Sequence, residues 1–146
     1  VSIRLSPERF GLRLGEIRDV AQKLMHEGAI DFLDMSLWDV FKEPVEEEFK
    51  GRSLMSYFAE LDRGNVKLGV AGKITSRQAA EECLNLGCDF VIIGRGAILH
   101  HDFPLRAEDP SFKTIDLPVS GDYLRNEGLS ENFLVYMNNW KGFVNL

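Results

Sequence analysis

The chain has 146 residues, 45% hydrophobic and 27% charged, a composition that suits one globular domain with a buried core. A formal net charge of -6 argues against nucleic acid as a partner, because a phosphate backbone demands a basic face, and no apolar run reaches membrane length. Cys83 and Cys88 match neither a disulfide framework nor a metal knuckle, so they read as core thiols in a reducing, cytoplasmic setting.

The chain opens inside a strand-like segment, Val1 to Ser6, and this start without methionine reads as a cut. Leu14, Ile17, Val20, Ala21, Leu24 and Met25 then recur at helical spacing, with Gly28 as the stop. A second strand is predicted from Ile30 to Ser36. Just beyond it stands Trp38, which either lines a ligand site or packs in the loop. The acidic run Glu43, Glu46, Glu47 and Glu48 reads as a solvated loop. A helix is expected from Arg52 to Leu61, turning Leu54, Met55, Phe58 and Leu61 inward. Val66 to Ala71 forms the third strand. The next helix is expected to open on Thr75 and Gln78 at capping-box spacing, to bury Ala79, Ala80, Cys83 and Leu84, and to end at Gly87. Asp89 to Ile93 completes the set of strands.

Strands alternating with helices call for a parallel sheet with right-handed crossovers, in either a doubly wound fold or a barrel. The last two strands each run into glycine before a helix, at Gly72-Lys73-Ile74-Thr75 and at Gly94-Arg95-Gly96. Backbone amides at such turns suit a phosphate, and arginine adds a forked cation. Barrels often hold phosphate after strands seven and eight, so the expected fold is α/β, the second half (strands 5 to 8) of a (β/α)8 TIM barrel. His100 and His101, beside Asp102, read as serving a helix end or solvent, and no metal site is expected. Residues 1–104 form the half-barrel. Residues 105–146 add a surface excursion, up to about Asn126, and a closing helix of the same domain whose stripe Phe133, Tyr136, Met137 and Trp140 faces the barrel wall.

Val1-Ser2-Ile3-Arg4-Leu5-Ser6-Pro7, Val70-Ala71-Gly72-Lys73-Ile74, Ile92-Ile93-Gly94-Arg95-Gly96 and the ending Tyr136-Met137-Asn138-Asn139-Trp140-Lys141-Gly142-Phe143 occur in this order. Together they resemble the C-terminal half of the old yellow enzyme family of NAD(P)H-dependent flavin oxidoreductases. That resemblance implies FMN as cofactor, NADH or NADPH as reductant and a small electron-poor substrate such as an activated alkene. By the same resemblance Arg4 meets the pyrimidine edge of FMN and is the one catalytic residue. The phosphate falls to Ala71, Gly72 and Lys73 through backbone, and to Gly94 and Arg95 through backbone and guanidinium. The family's substrate-polarising His/Asn or His/His pair and its tyrosine proton donor belong to earlier strands with no counterpart here. The chain therefore reads as half an active site, expected to be inactive alone and to pair with a missing N-terminal half or another copy. Two other readings stand beside it: another phosphate-ligand barrel enzyme, such as a lyase or isomerase, and a non-catalytic half-barrel module.

Overall fold

A computed structural model describes all residues, 1–146. The chain divides into two compact units: Val1–Ile74 with Gln78–Ile93, and Thr75–Arg77 with Gly94–Leu146.

The first unit is an α/β layer built on a four-stranded parallel sheet of β1 (Ser2–Leu5), β2 (Phe32–Ser36), β3 (Lys67–Ala71) and β4 (Phe90–Ile92), in the order β1-β2-β3-β4. Sequential order means that the chain never reverses its direction of winding. A doubly wound sheet reverses at a switch point, so these four strands lack that signature. Register puts Ile3, Leu33 and Leu68 in one row and Leu5, Met35, Val70 and Val91 in another. This face carries the core, against Leu14, Ile17, Ala21 and Met25 of α1 (Leu14–Glu27), Tyr57 and Phe58 of α2 (Ser56–Ala59), and Cys83 of α3 (Arg77–Asn85). The alternate residues, Arg4, Phe32, Asp34, Ser36, Gly69, Ala71 and Phe90, share the opposite face. There Phe32 and Phe90 meet edge to face at 5.8 Å. Gly69 makes room for this pair, since a Cβ at that position would stand 2.3 Å from the Phe90 ring.

Helix α1 ends as expected: Gly28 takes φ 64° and its N–H reaches Met25 O at 3.3 Å. Its start is less local. Arg13 gives no side-chain cap, and Glu46 accepts the Leu14 N–H at 2.6 Å while pairing with Arg13. The acidic run is thus not simply a solvated loop.

Helix α2 is far shorter than the expected Arg52 to Leu61. The N–H groups of Leu54 and Met55 donate instead to Lys42 O and Val40 O, which withdraws them from the helix, although Leu54, Met55, Phe58 and Leu61 are all buried. Helix α3 starts at Arg77, because Thr75 O accepts the Thr114 N–H and Ser76 bridges Lys113; Leu84 is 44% exposed rather than inward. Cys83 and Cys88 are free, buried core thiols, and burial pushes the Cys83 thiol up to about 12.

In the second unit α4 (Arg95–Leu99), α5 (Phe103–Arg106), α6 (Gly121–Asn126) and α7 (Glu131–Met137) accompany a two-stranded parallel ribbon of β5 (Val119–Ser120) and β6 (Val144–Asn145). The segment expected to be a surface excursion therefore holds a strand and a helix. Leu99, Val119, Leu124, Leu134, Met137, Phe143 and Val144 form its core. Of the predicted stripe only Met137 is buried; Phe133, Tyr136 and Trp140 are exposed, because the seven-residue α7 turns Leu134 and Met137 inward. His100 is also buried rather than solvent-facing.

Candidate functional site

The site expected from the sequence begins on the uncovered face of the first unit's sheet. Arg4 extends there half-exposed, donating to Ser36 Oγ at 2.9 Å and lying 3.3 Å from Asp34 Oδ2. The other carboxylate oxygen, Asp34 Oδ1, is buried with no hydrogen-bond partner. Burial pushes the Asp34 carboxyl above its ordinary value, and the Arg4 charge only partly opposes this. Ala71 shares this face with Arg4 and lies two strands away, about 10 Å at the usual strand spacing.

Beyond Ala71 the chain turns sharply. Ala71 O and Gly72 O accept the N–H groups of Leu37 and Val40, which ties this turn to the loop after β2. The N–H groups of Gly72 and Lys73 have no acceptor in the chain, so both can donate to an anion. Gly72 also has a steric reason to be glycine: φ is +154°, and a Cβ would stand 2.7 Å from Asp39 N and 2.8 Å from the Trp38 carbonyl carbon. Lys73 holds φ 50° and its ammonium meets Asp39 at 2.9 Å. Burial pushes the Asp39 carboxyl up, but the Lys73 bond and charge, together with the backbone N–H groups of Phe41 and Lys42, leave it below the usual value. The Lys73 side chain is therefore spent on Asp39, and only its backbone N–H is open to a ligand.

Gly94 and Arg95 belong to the second unit. Gly94 precedes α4 with open space where a Cβ would stand, and Arg95 is the first residue of that helix. Also in this unit, His101, Asp102 and Glu127 gather oxygen and nitrogen atoms within 4.8 Å of one another. Arg106 already pairs with both carboxylates, at 2.6 Å from Asp102 and 3.7 Å from Glu127.

Sequence reasoning weighed Trp38 but missed what surrounds it. Three residues other than glycine have positive φ, namely Phe10, Trp38 and Lys73, one in each loop after β1, β2 and β3. Between the first two of these loops opens a cleft of about 320 Å³, lined by residues including Ser6, Arg9, Phe10, Ser36, Trp38 and Lys42. Local sequence carries no sign of this backbone strain, which appears only once the loops are closed.

No protein-family model matches the chain, and no curated protein matches it. No helix is long and apolar enough to cross a membrane.

Proposed function

We propose that this chain is the second half of an FMN-dependent barrel oxidoreductase of the ene-reductase type, using NADH or NADPH. The observation that carries the reading is the uncovered face of a sequentially wound parallel sheet. In the first unit every helix packs on the other side, as in a barrel wall, and Arg4 stands on the face that a barrel would turn inward. The donor set fits the cofactor. A half-exposed guanidinium suits the electron-rich pyrimidine edge, and the unpaired amides of Gly72 and Lys73 suit a phosphate.

FMN, when bound, supplies hydride transfer between the nicotinamide and an electron-poor alkene. Arg4 contributes a fixed positive charge where negative charge gathers on reduction, and Asp34 and Ser36 hold that guanidinium in orientation. Gly94 and Arg95 contribute phosphate contacts by family resemblance. The ring's other contacts and the proton donor come from the barrel's first half.

The test uses the full-length parent. Arg95→Ala is expected to weaken FMN binding about tenfold, as loss of one charge-assisted phosphate contact does. Arg4→Ala is expected to lower the flavin reduction potential and slow reduction at saturating FMN. Equal flavin content together with equal reduction rates in Arg4→Ala and wild type would remove Arg4 from the site.

A further inference from the structure

We infer that the cleft between the loops after β1 and β2 binds a small planar carboxylate with an aromatic or conjugated body. This does not rest on the flavin reading. Its volume, about 320 Å³, lies at the lower end of small-ligand sites and leaves room for a single ring with a short side chain. The cleft opens at the carboxyl ends of two parallel strands, the edge where open α/β sheets take ligands.

The charges in the cleft decide the ligand's class. The Glu8 side chain is buried and is satisfied by the Lys42 ammonium and the Val45 N–H, so that pair is internal and neutral. Arg9 differs. Its side chain makes no hydrogen bond and no ion pair, and its guanidinium carbon lies 3.5 Å from the centre of the Trp38 ring. Stacking through its face leaves the N–H edge of the fork open, the geometry that takes a carboxylate through two parallel bonds. One unspent cation calls for one negative charge, which favours a carboxylate over a phosphate dianion.

The aromatic walls set the rest. Phe10 is 92% exposed and Trp38 56% exposed, each on backbone with φ near 60°, a region that a bulky residue occupies only when its surroundings hold it there. The Trp38 turn is held from below by Gly72, which a side chain would push away. Two strained loops thus present two rings and a free guanidinium at one mouth. A planar body stacks on such exposed rings better than a flexible aliphatic chain does.

The test needs no flavin. The chain has two tryptophans, Trp38 and Trp140, so Trp140→Phe leaves Trp38 as the only reporter. Titration with cinnamate is expected to change Trp38 emission saturably, with neutral cinnamamide, hexanoate and inorganic phosphate each at least tenfold weaker. Arg9→Gln alters an exposed side chain and is expected to weaken cinnamate at least tenfold. Calorimetry on the wild-type chain gives the same affinities should Trp140→Phe fail to fold. Equal affinity for cinnamate and cinnamamide, an unchanged affinity in Arg9→Gln, tighter binding of phosphate, or no saturable signal by either method would each overturn the proposal. FMN binding is scored separately by flavin fluorescence, so loss of one reading does not hide the other.

Discussion

Gly72 and Gly94 look alike in the sequence, each ending an apolar strand before a helix, yet their surroundings predict opposite responses to one methyl group. At Gly72 the new Cβ would press on the backbone of Trp38 and Asp39, which cannot swing aside as a side chain can. Gly72→Ala is expected to cost about 1–3 kcal/mol, within the range of strained backbone positions. Gly94→Ala meets open space and is expected to leave the melting temperature nearly unchanged. Thermal unfolding of the two variants checks this, and equal losses would contradict it. His100 yields a prediction in pH. Its Nε2 accepts the Ile115 N–H at 3.1 Å, and Tyr123, whose hydroxyl donates to Leu99 O, can accept from Nδ1–H. Those partners fit only the neutral ring with its proton on Nδ1. Burial first, and then the Arg106 charge, push the His100 pKa below its ordinary 6.5, with Glu127 and Asp102 opposing. Well above 6.5 the ring is neutral in both folded and unfolded chains. As pH falls below that value the unfolded chain takes up the proton first, so stability declines until the pH has passed the folded pKa. Urea unfolding of wild type and His100→Gln between pH 7.5 and 4.5 should show this component of the decline in wild type alone.

Elements were legible in the sequence wherever one local pattern decided them. The apolar runs fell at the observed strands, and the spacing from Leu14 to Met25 with Gly28 beyond it marked α1 almost to the residue. Helix α2 shows where this stops. Burial of Leu54, Met55, Phe58 and Leu61 was readable, but the backbone bonds of Leu54 and Met55 to the loop near Lys42 are long-range and leave no local trace. The same holds for β5, two residues paired with the chain's far end, and for the Arg9–Trp38 stack in the cleft. Glu46 is a further case, a cap supplied from 32 residues away. Hydrogen bonding to the Leu14 N–H and to Arg13 holds the Glu46 carboxyl below its ordinary value. Glu46→Gln keeps an acceptor but loses the charge at the helix start, and Glu46→Ala loses both. The expected order of melting temperature is wild type, then Glu46→Gln, then Glu46→Ala, with a spread of a few degrees. Indistinguishable curves for wild type and Glu46→Ala would show that α1 does not depend on this cap.

At the scale of the whole molecule, the sheet of the first unit has two ends. Strand β1 pairs only with β2, and β4 only with β3. Each outer strand therefore carries a row of backbone donors and acceptors with no partner in the sheet, and such edges recruit another chain unless something covers them. The face bearing Phe32 and Phe90 adds apolar surface beside the Arg4 and Asp34 charges, and no helix of the first unit covers it. In a barrel both needs are met at once, by further strands that pair with the edges and close over that face. The 146-residue chain on its own is accordingly expected to self-associate in a concentration-dependent way in sedimentation velocity. On the oxidoreductase reading proposed above, it is also expected to show no sustained oxidation of NAD(P)H with FMN and an activated enone. On the same reading, co-expression with a chain that supplies four further barrel strands should suppress self-association and restore turnover together, since those strands would pair with the open edges and bring the remaining groups. Turnover by a chain that sediments as a monomer would refute the half-barrel reading at its root.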